Sequence, residues 1–317
     1  MSSPASPSAP GALPAAPFFI VGTGRCGSTL LQAMLLSHSR IAIPPETHFF
    51  AELDPALAFA DPLPPGADDA YLDACVRALH WAELGLERDA LARLLASGHR
   101  DARSIFGWVL ARLLGDDGVR RSRVGEKTPR HEQNVPRIAA LFPDARFIHI
   151  HRDPRDVVAS ILGMEWRSSD SVSALARECR RTYRRQRAFA RELGPERYLE
   201  VCFEKLVAAP DTVLREVCAF LGEPFEEGML RYAERAESGY LESESGWKAG
   251  TRQPLDASRI GRYRAVLRPR AIRRIEGLLA DEMRELGYAP ARAPLFRPDW
   301  WWASFREARR RQRSARA

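Results

Sequence analysis

The sequence predicts an α/β fold in which helices cover both faces of a parallel sheet. Short runs typical of buried strands, such as Phe18 to Val21, Phe147 to Ile150 and Tyr198 to Cys202, each precede a stretch with helical character. Strands that alternate with helices are typical of a parallel sheet. Glycine and basic residues follow the first two runs, so we expect a ligand site at the carboxyl edge of the sheet.

A glycine-rich turn joins the first predicted strand, over 17–22, to the first predicted helix, over 28–38. The turn contains three glycines: Gly22, Gly24 and Gly27. Such a turn brings free backbone N–H groups and a helix N-terminus to one point, where phosphate groups bind. The outer glycines have the spacing of the P-loop motif G-x-x-x-x-G-K-[ST], but Ser28 replaces the lysine and Arg25 lies inside the loop. The missing lysine argues against ATP or GTP as the ligand.

A second basic segment follows the strand predicted over 146–151. Arg152 stands at the end of this strand, and Asp153 is a suitable cap for a helix over 154–163. Ser160 lies about two turns along that helix. An arginine at a strand end and a hydroxyl on the next helix are well placed to hold a second phosphate group.

The rest of the chain is predicted to be mainly helical. Residues 51–123 contain several prolines and have apolar residues at helical spacing. We expect them to form a helical insertion within a single domain over 17–290. Residues 1–16 are rich in Ser, Ala and Pro and are expected to be a disordered leader. Residues 291–317 form a basic tail that includes Trp300–Trp302. Further helices are expected over 131–141, 170–193, 211–221, 225–236 and 269–286.

Composition favours an enzyme of a reducing compartment. The 317 residues have a formal net charge of +7 and 5 cysteines without the spacing of a disulfide framework. No apolar run is long enough for a membrane span, and no signal peptide is evident, so we expect a cytoplasmic protein. Much of the charge lies in Arg177–Arg187 and in the tail. The first segment is expected to be a helix whose basic face is either solvated or borders the nucleotide or an acidic acceptor. No nucleic-acid partner is expected.

The two motifs resemble the 5′-phosphate and 3′-phosphate motifs of sulfotransferases that use 3′-phosphoadenosine-5′-phosphosulfate (PAPS). The segment Arg25-Cys-Gly-Ser-Thr-Leu30 is similar to the R-S-G-T-T-L loop of the branch that includes tyrosylprotein sulfotransferases and related bacterial enzymes. The resemblance implies a P-loop-type fold and PAPS as co-substrate. It implies that the following residues bind PAPS: Arg25, Cys26, Gly27, Ser28, Thr29, Arg152 and Ser160.

The same resemblance implies which residues catalyse the transfer. Glu46 has the spacing from the loop of that branch's catalytic glutamate, and Lys127 lies in an E-K-T-P motif that bacterial members carry. Arg25 and Lys127 would stabilise negative charge, and Glu46 would take the acceptor proton. A glutamate base should have a raised pKa, and His48 is the alternative base. A sulfuryl group carries less charge than a γ-phosphate and no metal-ligand spacing is evident, so we expect no metal.

A late basic loop of the family closes on the 3′-phosphate, and Arg259 resembles its basic residue. Lys248 and Arg252 are alternatives for that position, and Phe203 stands where the branch often has tyrosine.

The sequence thus indicates a sulfotransferase that moves the sulfuryl group of PAPS to an acceptor hydroxyl and releases adenosine 3′,5′-bisphosphate. A glycan or a small metabolite is the preferred acceptor, with peptidyl tyrosine as the next choice. The alternatives are a P-loop kinase and a catalytically silent nucleotide-binding or scaffold protein. Oligomeric state is not indicated by the sequence.

Overall fold

The computed structural model of the chain describes residues 16–291 except 79, 166, 168 and 236–238, and it describes only the backbone of 116, 117, 119 and 247. The expected leader and the Trp-containing tail therefore lie outside the described residues, apart from residues 16 and 291.

A five-stranded sheet with the order β2-β3-β1-β4-β5 forms the centre of the fold, and every neighbouring pair of strands is parallel. The strands are β1 (Phe18–Val21), β2 (Ile41–Ala42), β3 (Arg123–Lys127), β4 (Arg146–His151) and β5 (Tyr198–Cys202). Strand β1 lies between β3 and β4, so the connections run to opposite sides of it. Ligands of open parallel sheets bind beyond the strand ends at such a switch point. The predicted fold class is confirmed.

Helices cover both faces of the sheet. They are α1 (Ser28–Leu36), α2 (Phe49–Glu52), α3 (Pro55–Ala58), α4 (Asp68–Ala78), α5 (Arg88–Ala96), α6 (Ala102–Val119), α7 (Val135–Leu141), α8 (Pro154–Leu162), α9 (Val172–Leu193), α10 (Phe203–Ala208), α11 (Pro210–Leu221), α12 (Ser245–Lys248), α13 (Tyr263–Val266), α14 (Pro269–Leu278) and α15 (Ala280–Glu285). Short 3₁₀ helices span Pro129–Asn134, Glu227–Glu234, Glu242–Glu244, Ala249–Arg252 and Ala257–Arg259.

Most predicted elements are present, with several differences. The helix expected over 269–286 is divided at Leu279, where φ is −116°. The segment expected to be helical over 131–141 begins as a 3₁₀ turn, and the helix expected over 225–236 is a 3₁₀ helix. Helices α3 to α6 lie within residues 51–123, and α6 breaks at Gly115, where φ is +64°. Strands β2 and β3 were not predicted.

The core has one hydrophobic cluster on each face of the sheet. Side chains alternate along a strand. Accordingly, Phe18 and Ile20 of β1 pack on one face with residues of α1 and α11, whereas Phe19 and Val21 pack on the other with residues of the insertion. A third cluster joins α8, α9, α13 and α14. This third cluster packs α13 and α14 against α8, the helix that follows Arg152.

Candidate active site

A cavity of about 750 Å³ opens where the loops after several strands converge. Its lining comes from the glycine-rich loop after β1, the segment after β2, the turns after β3, β4 and β5, and the late segment between α12 and α13. Most of the predicted site residues line it: Arg25, Gly27, Ser28, Thr29, Glu46, Arg152 and Arg259. The cavity therefore lies at the switch point that the strand order defines.

The glycine-rich loop leaves the N-terminus of α1 open toward the cavity. Gly27, the N-cap residue of α1, provides no side-chain cap, so the first N–H groups of the helix have no partner from it. Gly27 has φ +102°, and a Cβ there would lie 2.3 Å from the ring of Phe203. Any other residue would be strained and would collide with this ring. Phe203 thus packs under the loop, in the position for which the family often has tyrosine.

Three arginines converge beside this loop. Arg25 has a left-handed backbone, with φ +67°, and its Nε donates to Ser160 Oγ at 3.1 Å. Arg152 donates from Nη1 to the carbonyl of Arg25 at 3.3 Å and from Nη2 to the carbonyl of Arg259 at 2.6 Å. Burial lowers the pKa of Arg25, and the charges of Arg152 and Arg259 lower it further. Cations held together at this energetic cost indicate an anion site.

Arg152 is fixed from several sides. Its guanidinium lies 4.5 Å from the ring centre of Phe203, and the Tyr183 hydroxyl donates to its carbonyl at 2.6 Å. Its Nε is buried and has no hydrogen-bond partner among the described residues. Asp156 is the nearest carboxylate, with 3.9 Å between Arg152 Nη2 and Asp156 Oδ2. A preorganised arginine with a spare donor is suited to bind phosphate.

Asp156 ties the late segment to this arginine. Its Oδ2 accepts from the backbone N–H of Gly261 at 2.7 Å, and its Oδ1 accepts from the N–H of Tyr263 at 2.8 Å. These bonds place Arg259 beside Arg152. Of the residues considered for the late basic position, Lys248 lies instead at Glu46, and Arg252 is not among the residues that line the cavity.

Glu46 forms the second charged centre of the cavity. Its Oε1 accepts from the Nζ of Lys127 and, at 2.6 Å, from the Nζ of Lys248. The side chain of Lys127 is fully buried, and its Nζ also lies 3.5 Å from Thr29 Oγ1 of the glycine-rich loop. Lys127, from β3, therefore brings a lysine side chain to a glycine-rich loop that contains no lysine. Burial lowers the pKa of Lys127, in opposition to the charge of Glu46.

The sequence analysis expected a raised pKa for Glu46, and the structure shows that this expectation is wrong. Burial, the largest influence, acts to raise the pKa, but the charges of Lys127, Lys248 and His48 outweigh it and lower the pKa to about 2. The sequence showed Lys127 as a charge stabiliser but gave no indication that two lysines share one carboxylate oxygen. Lys248 is thus a site residue that sequence reasoning placed elsewhere.

A buried carboxylate that the sequence analysis missed, Glu126, supports this centre. Its Oε1 accepts from the N–H and hydroxyl of Thr47, at 3.1 and 3.0 Å, and from the hydroxyl of Thr128 at 2.6 Å. Its Oε2 lies 2.7 Å from Nδ1 of His131. These contacts join the segment that carries Glu46 to the segment that carries Lys127. The only available signal was that Glu126 directly precedes Lys127 in the E-K-T-P motif.

His48 lies beside Glu46, with 3.7 Å between its Nε2 and Glu46 Oε2. Its backbone is left-handed, with φ +54°, and burial lowers its pKa, although Glu46 acts to raise it. The ring of His80 from the insertion lies 5.6 Å away and also lines the cavity. His48, the alternative base, therefore lines the cavity beside Glu46.

Cys26 differs from its neighbours in the loop. Its side chain is buried in the core with Phe18 and Ile20, and its N–H donates to the carbonyl of Thr23 at 3.3 Å. It is not among the residues that line the cavity. Burial raises the pKa of its thiol. The structure therefore does not bring the predicted ligand residue Cys26 to the cavity, because its side chain fills the space under the loop.

None of the residues that line the cavity comes from the basic helix α9. Arg180 and Arg184 pair with Glu282, Arg187 pairs with Glu285, and Arg185 lies 3.7 Å from Glu132. This face of α9 is thus largely neutralised by α15 and by the 3₁₀ turn before α7. Among the described residues, no cluster of three or more His, Cys, Asp or Glu side chains is arranged to hold a metal ion. None of the described helices is long and apolar enough to cross a membrane.

Comparison with known proteins identifies the family. The protein-tyrosine sulfotransferase of Drosophila melanogaster is 22% identical over 220 residues, which are 68% of this chain and 40% of that protein. Nodulation protein NoeE of Sinorhizobium fredii is 25% identical over 291 residues, or 85% of this chain and 65% of that protein. The chain thus spans well under the full length of these relatives.

Structural comparison agrees with this result. The solved sulfotransferase domain of the Synechococcus PCC 7002 olefin synthase superposes with a TM-score of 0.59 at 23% identity, covering 84% of this chain and 94% of that domain. This likeness shows the fold. The model of the sulfotransferase family matches residues 17–227, which is most of the chain. The chain belongs to the sulfotransferase family.

Proposed function

We propose that this protein transfers the sulfuryl group of PAPS to an acceptor hydroxyl and releases adenosine 3′,5′-bisphosphate. One observation carries the proposal: a three-arginine anion site and a buried glutamate held by two lysines lie in the same cavity, on either side of an uncapped helix N-terminus. The first centre fits the phosphate groups of a nucleotide. The second provides a carboxylate and fixed positive charge for group transfer.

The nucleotide would lie across β1 and β4. The N–H groups at the start of α1, with Ser28 and Thr29, would hold the 5′-phosphosulfate, because a helix N-terminus favours anions. Arg152, Ser160 and Arg259 would hold the 3′-phosphate. Arg25 belongs to the glycine-rich loop and donates to Ser160, so it is suited to contact either the 5′-phosphosulfate or the 3′-phosphate. Cys26 would contribute only by filling the space beneath the loop.

The ion pairs of Glu46 suggest how these residues would act in transfer. Sulfuryl transfer requires that the acceptor O–H lose its proton, that the acceptor oxygen bond to sulfur, and that the bond from sulfur to the bridging oxygen break. Lys127 Nζ lies 3.5 Å from Thr29 Oγ1 of the glycine-rich loop, so with PAPS bound there it would divide its charge between Glu46 and the donor's leaving oxygen. When that charge moves toward the donor, the pKa of Glu46 rises and the carboxylate becomes a stronger base.

The lining beyond Glu46 favours a polar acceptor. Most of its residues carry charged or hydroxyl groups: His48, Glu52, His80, Glu83, Thr128, Ser243 and Glu244. These side chains offer hydrogen bonds to a hydroxyl-bearing acceptor, which supports a glycan or a small polyhydroxylated metabolite, although the lining of the whole cavity is more apolar than polar. Peptidyl tyrosine is retained as the next choice because protein-tyrosine sulfotransferases are among the relatives.

A turnover assay tests this proposal. The full chain is incubated with PAPS, with chelator present, and with a panel of saccharides, phenols and a tyrosine peptide, and release of the bisphosphate and of sulfated product is measured. We expect metal-independent transfer to at least one saccharide, with loss of the activity in Glu46→Gln and normal activity in a matched surface variant, Glu216→Gln. Phosphoryl transfer from ATP with magnesium would support a kinase instead, and nucleotide binding without transfer to any acceptor would support a silent binding protein.

A further inference from the structure

An exposed basic surface lies next to the cavity, on the segment 257–274. This segment contains seven arginines and no acidic residue: Arg259, Arg262, Arg264, Arg268, Arg270, Arg273 and Arg274. All seven are exposed. The segment includes α13 and the first part of α14, and its first arginine lines the cavity.

Most of these arginines lack a neutralising partner, in contrast to those of α9. Arg259 pairs with Asp256, but no carboxylate of the described residues pairs with Arg262, Arg268, Arg270 or Arg273. Arg264 contacts the ring of Tyr263, and Arg274 donates to Ser173 Oγ, a neutral group. The charge of this surface, unlike that of α9, is therefore available to an external anion.

Apolar side chains are exposed among the same arginines. Ile260 is 37% exposed and Val266 is 47% exposed, and they are two of the four large apolar residues exposed in the described chain. Apolar side chains among arginines are the composition of surfaces that bind anionic membranes, where arginines meet headgroups and apolar groups enter the acyl boundary. The aromatic residue of the segment, Tyr263, is buried, so single-stranded nucleic acid finds no stacking platform here.

We infer that the surface of α13 and α14 binds the headgroups of an anionic lipid membrane. The arginines attract the acidic headgroups, and Ile260 and Val266 insert at the boundary of the acyl chains. The binding is peripheral, and it is independent of the proposed transfer reaction. It would bring the edge of the cavity at Arg259 close to the membrane surface.

Vesicle co-sedimentation of the full chain tests this inference. We expect binding to phosphatidylcholine vesicles that contain phosphatidylserine and little binding to pure phosphatidylcholine. Each arginine near an anionic surface contributes roughly fivefold to partitioning, so the combined change of Arg268, Arg270 and Arg273 to Gln should weaken binding about 100-fold. Val266→Ser should produce a smaller loss, because an apolar contact is removed without a change of charge.

Matched changes on α4 and α5 provide the control. Arg77 and Arg93 are exposed arginines and Val76 is an exposed apolar residue of the insertion, 42% exposed, so Arg77→Gln, Arg93→Gln and Val76→Ser together should leave vesicle binding unchanged. Affinity for adenosine 3′,5′-bisphosphate reports that each variant is folded. Equal binding to both vesicle types, full binding by the triple arginine variant, or tighter binding to a DNA duplex than to anionic vesicles would overturn the inference.

Discussion

The position of Glu46 between two lysines determines how it can act as a base. In the free enzyme the carboxylate has a pKa of about 2, so it is ionised at neutral pH but attracts a proton weakly. Its oxygen is shared by Lys127, from the end of β3, and Lys248, from α12. Lys248 also pairs with Glu244, so we propose that Lys127 must shift its charge toward a bound donor before the carboxylate becomes an effective base. Under the proposed function, this arrangement would couple proton acceptance to the presence of the donor.

Replacement of this carboxylate should separate binding from chemistry. We expect Glu46→Gln to lower the rate of sulfuryl transfer by about 10²- to 10⁴-fold, the range for loss of a general base, because glutamine cannot take the proton. Affinity for adenosine 3′,5′-bisphosphate should remain, since the three-arginine site is unchanged. Single-turnover kinetics and calorimetry measure the two quantities. A normal rate in this variant together with a large loss in His48→Ala would assign the base to His48.

The same carboxylate should make the protein acid-sensitive. The folded-state pKa of Glu46, about 2, lies below its ordinary value of 4.5, so between these values the unfolded chain binds more protons. Stability from Glu46 is therefore present above pH 4.5 and is lost as the pH falls toward 2, by an amount on the order of 3 kcal/mol.

Urea unfolding at several acidic pH values measures this effect. The wild-type free energy of unfolding should fall more steeply below pH 4.5 than that of Glu46→Gln, which carries no titrating group at this position. Parallel curves for the two proteins would show that Glu46 is not held by its lysines in solution.

Some residues of the site could be predicted from the sequence, and others could not. The phosphate-binding roles of Arg25, Arg152 and Ser160 were expected from two local motifs, and the structure brings these residues into contact. Glu126 and Lys248 were not recognised in their positions, because each acts through a partner far away in the sequence. The low pKa of Glu46 was missed for the same reason, since it depends on a lysine about 200 residues later in the chain.

At the scale of elements, the late segment depends on α8. Asp156, in the first turn of α8, accepts two backbone hydrogen bonds from the segment that carries Arg259. Burial raises the pKa of Asp156, although these two N–H groups and Arg152 act against that change. The same side chain thus faces Arg152 and holds the loop that closes on the arginine. We therefore propose that Asp156 positions the Arg259 segment at the anion site and is not itself a ligand.

Removal of this link should weaken nucleotide binding. We expect Asp156→Ala to raise the dissociation constant of adenosine 3′,5′-bisphosphate about tenfold or more, because two backbone donors lose their acceptor and the loop loses its position. The transfer rate at saturating PAPS should change less than the affinity. Asp170→Ala, which removes an exposed carboxylate paired with Arg167, is the matched control and should bind normally. Equal affinities of the two variants would contradict this role.

At the scale of the molecule, the alternation of strands and helices was sufficient to predict a parallel sheet with helices on both faces. It did not reveal β3, because this strand ends in the buried charged residues Glu126 and Lys127, which do not have the pattern of a core strand. Strand β2 was missed because it has only two residues. The edge of the sheet at the cavity therefore includes the strand that was hardest to recognise, since buried charged side chains replace apolar ones at its end.

The direct test of the central claim is calorimetric titration with adenosine 3′,5′-bisphosphate in the presence of a chelator, compared with ATP and magnesium. We expect the wild type to bind the bisphosphate without metal and Arg152→Ala to bind it roughly 10- to 100-fold more weakly, because charge-assisted hydrogen bonds are lost. Arg146→Ala, at the other end of the same strand, should bind like the wild type. Preference for ATP with magnesium, or equal binding by both variants, would contradict the proposed site for PAPS.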